Sequence, residues 1–325
     1  MKNDPLVSVV IPTHNRKESL IRLIESIFNG SYPNDRLEII VVDDASTDGT
    51  YEEIKKRYPQ IRIIRNQREM LISGSRNLGI KNARGDYVFL VDDDNVIDRK
   101  CILELVKTME EKSDPPIGVV APIMYYYKQP NRVWCAGVKR SMITSLTTRI
   151  GQDEIDNGHF TKIIESRDFP NAFMIRREII EKVGLFDENA FPIHYEEADF
   201  MERVRQSRYR VVCNPKAKVW HDIPLPEDVK DKARSLHVHS EMRAFYAGRN
   251  RIIFHKRYSK WWQFLIFILI FNWLIALYYL RIILLGSRKP LKDRLKIAKA
   301  YLKGVIKGFM TTKKSYYHVF QRSTK

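Results

Sequence analysis

Gly85-Asp-Tyr-Val-Phe-Leu-Val-Asp-Asp-Asp94 decides how the fold is read. Tyr87 to Val91 is a continuous apolar run of the kind buried on both faces of a sheet, and three carboxylates close it without a spacer. Unpaired carboxylates are strongly unfavourable in a core, so this cluster at a strand end predicts a cation. Hard oxygen ligands of this type suit Mg²⁺ or Mn²⁺, which usually keep positions open for water and substrate phosphates. A solvated acidic turn is the plain alternative for the segment taken alone.

The segments around it alternate in period. Val7-Ser-Val-Val-Ile11 reads as a buried strand and Pro12-Thr-His-Asn-Arg16 as a turn. Leu20, Leu23, Ile24, Ile27 and Phe28 follow at helical spacing. Leu37 to Val42 is the next strand, Tyr51 to Tyr58 a helix, Ile61 to Ile64 a third strand, and about 73–83 a further helix. Strands alternating with helices predict an α/β domain whose parallel sheet is covered by helices on both faces. Ligands of such sheets sit at the carboxyl ends of the strands, so the loops at Thr13, Asp44 and Asp92–Asp94 are expected to converge on one crevice. After Ser113-Asp-Pro-Pro116 the pattern turns irregular, and the polar stretch 125–168 reads as a mobile loop over the site. Regularity returns at Phe169–Ile175, followed by a helix from about Arg177 to Val183.

Charge is distributed unevenly along the 325 residues, whose formal net charge is +17. Residues 236–325 hold 19 Lys/Arg against two acids, Glu241 and Asp293, whereas residues 1–235 hold 37 of each sign. The excess therefore surrounds a hydrophobic tail and leaves the rest neutral, which argues against a basic-tailed nucleic-acid-binding protein. Cys101, Cys135 and Cys213 form no C-x-x-C pair and speak against a disulfide framework and a structural zinc site. Met1 to Pro5 leads straight into a strand, with no visible signal peptide.

Two further segments carry chemistry. Val41-Val-Asp-Asp44-Ala-Ser-Thr-Asp48-Gly-Thr50 places acids directly after a strand, where one can accept from a ribose hydroxyl or a base N–H. The same run can equally cap the next helix. Arg76, in Gly74-Ser-Arg-Asn-Leu-Gly79, offers a guanidinium on an early helical turn, suited to a phosphate or to a surface salt bridge.

Together these segments resemble the inverting nucleotide-sugar glycosyltransferases of family two, which have the GT-A fold. The matching stretches are Val9-Val-Ile-Pro-Thr-His-Asn15, Val42-Asp-Asp-Ala-Ser-Thr-Asp48, Ser75-Arg-Asn-Leu-Gly79 and Gly85–Asp94, in the family's order and spacing. Tyr195-Glu-Glu-Ala-Asp199-Phe200 looks like the family's acidic acceptor motif, usually Glu-Asp-x-Asp, and Val219-Trp-His221 like its late histidine. Here the second acid of the motif is Glu, one methylene longer. The resemblance implies Glu197 as general base, with Glu196 the fallback if the register differs by one. It places Thr13, Asn15, Asp44, Arg76, Asp92 and Asp93 at the donor, and Asp94, Asp92 and His221 at Mn²⁺ or Mg²⁺. Asp199 and Arg203 stand at i, i+4, a helical salt-bridge spacing. Trp134 and Tyr125–Tyr127 could stack a sugar or base, with core packing the plainer reading.

From the resemblance, the expected reaction is metal-dependent transfer of a sugar, with inversion, from a nucleotide-sugar donor to a hydroxyl of a lipid-linked or polymeric glycan. The likeness extends to rhamnosyl- and galactofuranosyl-type polysaccharide glycosyltransferases. A polyprenyl-phosphate sugar synthase is the alternative within the class, and a catalytically dead glycan-binding module an alternative outside it. The expected organisation is a nucleotide-sugar-binding half over 1–115, an acceptor-binding half over 116–235, and a basic membrane-associating helical region over 236–325. Within the last, 261–285 is an apolar segment flanked on both sides by basic residues. That pattern fits a helix within one leaflet, a single span, or a distorted hairpin, in that order. Leu291, Leu295, Ala298, Leu302, Val305 and Phe309 share a helical stripe beside Lys292, Lys296, Lys299, Lys303 and Lys307. A basic amphipathic helix of this kind suits an anionic membrane surface, or else packs as a core helix with a solvated basic face. The expected location is the cell membrane, with the catalytic domain on the cytoplasmic face.

Overall fold

The apolar runs of the first half become the centre of a ten-stranded mixed sheet. The computed structural model describes residues 4–311. In the first half, β1 (Val7–Thr13), β2 (Leu37–Asp43), β3 (Arg62–Arg65) and β4 (Tyr87–Val91) alternate with α1 (Lys17–Phe28), α2 (Thr50–Arg57) and α3 (Leu71–Asn82). Then come β5 (Asn95–Ile97), α4 (Cys101–Glu110), β6 (Ile117–Tyr126) and β7 (Gln129–Cys135), with β8 (Val138–Arg140) and β9 (Thr147–Arg149) in a separate two-stranded sheet. The series continues with β10 (Ile164–Glu165), β11 (Ala172–Arg176), α5 (Arg177–Val183), α6 (Glu196–Gln206) and β12 (Arg210–His221).

The sheet runs β10-β12-β6-β11-β4-β1-β2-β3. β1 pairs in parallel with both β2 and β4, while β11 runs antiparallel between β4 and β6. β1 and β4 are buried at every residue, as a strand covered on both faces must be. The chain moves outward from β1 through β2 to β3 and returns on the other side of β1 as β4, so the order reverses beside β1. A crevice is expected at the carboxyl ends of strands where that happens. Gly79 lets α3 lie close on the sheet: a Cβ there would stand 2.2 Å from Val10 Cγ1.

The expected mobile loop over 125–168 is corrected. β6 is ten residues long and fully buried, and β7 pairs with it antiparallel. The polar opening of β7, Gln129-Pro-Asn-Arg132, conceals a strand whose end, Val133-Trp-Cys135, is buried.

Two compact units are distinguished. The first comprises the chain up to Lys139, Thr148–Phe186 and Glu197–Ile223; the second comprises Arg140–Thr147, Asp187–Glu196 and the chain from Pro224. The second unit is helical, with α7 (Lys232–Ser235), α8 (Glu241–Tyr258), α9 (Trp261–Ile266), a π-helical turn (Phe267–Phe271), α10 (Asn272–Leu285) and α11 (Leu291–Met310). Its core includes Ile252, Phe267, Ala276, Ile283, Tyr301 and Val305. Gly304 brings α11 against α8, since a Cβ would meet Phe245 O at 2.0 Å. Trp261–Leu285 makes a continuous apolar helix of 25 residues in which Phe267, Asn272, Ala276 and Ile283 are buried and the rest are partly or fully exposed.

Candidate active site

The three aspartates leave β4 where the sheet order reverses, and their partners come from several strand ends. Thr13, the last residue of β1, donates its hydroxyl to Asp93 Oδ2 at 2.7 Å. Arg16, in the following turn, reaches Asp94 Oδ2 at 2.5 Å and Asp93 Oδ1 at 3.3 Å. On the opposite side β5 pairs antiparallel with the end of β12, His221 opposite Asn95, and Asp222 N donates to Asp94 O at 2.8 Å. That pairing sets His221 Nε2 3.3 Å from Asp94 Oδ1. Trp134 stands edge-on to the imidazole at 4.5 Å between centroids.

Arg76 connects this cluster to α6. Its guanidinium is fully buried, donating to Asp92 Oδ1 at 2.8 Å and to Glu197 Oε1 at 2.8 Å. The rings of Phe173 and Phe186 each lie 5.8 Å from it. Glu196, one residue earlier on α6, is buried at 5% exposure. Asp199, also buried, pairs with Arg203 at 3.1 Å, and Arg203 donates on to Val183 O and Leu185 O. The i, i+4 pair thus ties α6 to the chain just after α5.

The acids after β2 have partners within the chain. Asp44 accepts from Asn66 Nδ2 at 2.6 Å, Met70 N at 2.8 Å and Leu71 N at 3.0 Å, holding the start of α3. Asp48 accepts from Thr50 N at 3.1 Å at the start of α2. Asn15 adopts a left-handed φ of 53° and accepts from Thr47 N at 2.7 Å, joining the β1 and β2 loops. Tyr125 and Tyr126 are buried side chains that donate to Asp156 and Asp153.

The electrostatics separate neighbouring acids. Burial pushes Asp93 up to about 7, against the pull of Arg16 and with the push of Asp94. Burial also opposes charge on Asp94, but His221 and Arg16 outweigh it and hold that carboxyl well below the usual range. Of the predicted residues, Thr13, Asp93, Asp94 and His221 share one set of contacts with Arg16, and Asp92, Arg76 and Glu197 form a second set that adjoins it at the Asp92–Asp93 peptide, while Asn15 and Asp44 lie in the adjoining loops. Arg16 was not singled out from the sequence. Its signal was its place in the Pro12–Arg16 turn, straight after the strand beside the acidic one.

The sequence profile of glycosyl transferase family 2 matches residues 8–184, from the start of β1 to the end of α5. The chain belongs to glycosyl transferase family 2. It is 28% identical over 284 residues to a probable glycosyltransferase, YdaM, of Bacillus subtilis, covering 82% of this chain and 64% of that protein. It is 31% identical over 183 residues to the dolichol-phosphate mannosyltransferase of Pyrococcus furiosus, covering 55% and 48%. The fold is also that of the Pyrobaculum calidifontis mannosyltransferase PcManGT, solved with GDP-Man and Mn²⁺. There the TM-score is 0.57 at 16% identity, with 95% of this chain and 88% of that one covered. The architecture is therefore GT-A. The chain spans less than two thirds of the length of the curated relatives it matches here.

Whether a divalent ion fits is tested by the donor set. His221 Nδ1 is buried without a hydrogen-bond partner among the described residues, while its Nε2 lies 3.3 Å from Asp94 Oδ1. The Asp92 carboxylate, two residues before Asp94, is held by Arg76 at 2.8 Å. Oxygen donors with one imidazole suit Mn²⁺, and carboxylates alone suit Mg²⁺. The residues fit.

Proposed function

We propose that this chain is a metal-dependent, inverting glycosyltransferase acting on a nucleotide-sugar donor and a hydroxyl acceptor at a membrane. The observation that carries the reading is the double grip of Arg76 on Asp92 and Glu197, 2.8 Å to each, which fixes the α6 acid beside the strand-end triad. Asp94, Asp92 and His221 would hold Mn²⁺ or Mg²⁺, which when bound supplies Lewis-acid stabilisation of the departing diphosphate. Thr13 orients Asp93, and Arg16 adds positive charge on the side where phosphate charge develops. Glu197 takes the proton of the acceptor hydroxyl, whose oxygen bonds to the anomeric carbon as the nucleoside diphosphate leaves from the opposite face. A base needs hydrogen-bond reach and a suitable pKa, and Glu meets the first as Asp would. Glu196 is the alternative base. Asn15 and Asp44 shape the loops against which the nucleoside lies.

Likeness to a dolichol-phosphate mannosyltransferase keeps a polyprenyl-phosphate acceptor as the second reading. A phosphate acceptor needs no base to deprotonate it, and the acid fixed at 197 favours the hydroxyl. The exposed apolar helix and the basic residues around it support membrane association, and with it an anionic membrane surface and a lipid-linked or polymeric glycan as partners. The cytoplasmic face is where nucleotide sugars are expected.

The test is Glu197→Gln. Transfer should fall about 10²–10⁴-fold with donor affinity unchanged, as measured by radiolabelled sugar transfer and equilibrium donor binding. Near-normal turnover in the variant would remove Glu197 as base and reopen the phosphate-acceptor reading.

A further inference from the structure

The helical unit presents two apolar surfaces and one basic stripe, and the way its helices pack limits how a bilayer can meet them. α10 and α11 run side by side in opposite directions. Trp273 stacks on Phe309 at 6.0 Å, Tyr279 on Tyr301 at 5.6 Å, and Arg294 donates to Leu284 O. α8 closes the group. Arg251 Nη2 donates to the Tyr301 hydroxyl at 2.6 Å, and Lys256 Nζ donates to the terminal carbonyls Gly308 O and Phe309 O of α11. His255 stacks on Phe267 at 3.9 Å, tying the π-helical turn to α8.

The 25-residue apolar helix is about 37 Å long at 1.5 Å per residue, enough to cross a bilayer. Its partner forbids it. Over the contact from Trp273 to Leu284, α11 exposes Lys296, Lys299 and Lys303 alongside, between Lys292 and Lys307 at its ends. If α10 spanned, those three ammonium groups would lie at hydrocarbon depth without a carboxylate partner among the described residues. The end lysines could reach the interface, but the middle ones are turns away from it. By helical spacing, the exposed Leu291, Leu295, Leu302 and Ile306 lie between the buried face of α11 and its lysines. The exposed Trp273–Phe309 pair joins this apolar strip to the Trp261, Leu265, Leu269 and Leu277 face. Apolar surface bordered by lysines is what a helix lying along an interface shows.

We infer that α9, α10 and α11 lie flat in one leaflet of an anionic membrane, with apolar side chains inserted and lysines at the headgroups, and that 261–285 does not span. The inference rests on the membrane association proposed above and goes beyond it by fixing the topology. Lys260 and Lys289, exposed at the two ends of the apolar segment, then face the same side. The basic residues at both flanks then obey the positive-inside rule together, which a single crossing does not allow.

The experiment places single cysteines at Lys260→Cys and Lys289→Cys in the full chain and labels them with a membrane-impermeant maleimide. Labelling is done in sealed right-side-out and inverted vesicles of the expression host. Both positions should label from one and the same side; labelling from opposite sides would overturn the inference and establish a span. In parallel, the wild-type chain should sediment with phosphatidylglycerol vesicles, and Lys299→Gln should weaken that partition about fivefold. An unchanged partition for Lys299→Gln counts against headgroup contact by α11. A wild-type chain that stays in solution would overturn membrane association itself, without touching the catalytic reading.

Discussion

Arg76 is the residue on which the site's geometry turns. It is a cation with no exposure, satisfied by two carboxylates from elements 121 residues apart in sequence, at Glu197, and 16 apart, at Asp92. Removing one partner of such a buried network leaves uncompensated charge. Arg76→Met should therefore lower stability by about 3–5 kcal/mol in chemical denaturation. Arg76→Lys, which keeps the charge but not the fork, should recover part of it and still lower transfer, because one ammonium cannot grip both acids. At this scale the sequence spoke through its acids more than through its cations. Asp92 to Asp94 were conspicuous because nothing apolar explains them at a strand end. Arg76 read equally well as a phosphate ligand or a surface pair, since neither burial nor Glu197 is visible from Gly74-Ser-Arg-Asn-Leu-Gly79. Arg16 signals itself only by its place in the turn after β1, as its partners lie 77 and 78 residues away.

Elements were legible where their period was strong. β1, β2, β4 and α1 follow directly from continuous or helical apolar spacing, and their ends fall within a residue or two of expectation. β7 was hidden because its first four residues are polar and only its last three are buried; its evidence is the partner strand, which a sequence does not display. The α8–α11 contact is of the same kind, made possible by Gly304 against Phe245 O. Gly304→Ala should lower the stability of the helical unit by about 1–3 kcal/mol, read as a lower thermal midpoint with the first unit's nucleotide binding retained. Two buried histidines of this unit give it an acid limit. Burial, then the charges of Arg140 and Arg251, hold His255 down to about 3. Burial, then His237 and Arg243, does the same for His194. Both rings take up a proton on unfolding at an ordinary value of about 6.5, so the unfolded chain binds more protons below that pH. Stability is full above about pH 6.5 and falls toward pH 3, by up to about 1.4 kcal/mol per pH unit for each ring. Denaturation midpoints measured from pH 7.5 to 5 should show the slope, and His255→Gln should flatten it.

At the scale of the whole molecule, charge and chemistry are segregated. The strand-end acids, His221 and Glu197 belong to a neutral stretch of chain, while the net positive charge gathers around the apolar helix. Family membership and fold explain the first part; the long apolar segment between basic flanks, already visible in the sequence, accounts for the second. What the sequence left open was the topology of that segment, since hydropathy counts residues along one helix and is blind to the lysines on the helix packed beside it. The central claim is that the acids closing β4 bind a metal that in turn holds the donor's diphosphate. It is tested most directly by equilibrium binding of UDP, GDP and dTDP to the full chain with Mn²⁺ and with chelator, for wild type and Asp94→Asn. At least one nucleotide should bind wild type only when Mn²⁺ is present, with Asp94→Asn losing that binding while still folded at the assay temperature, its thermal midpoint lowered by the lost pairing with Arg16 and His221. Binding of the same strength with chelator, or undiminished in Asp94→Asn, would contradict it.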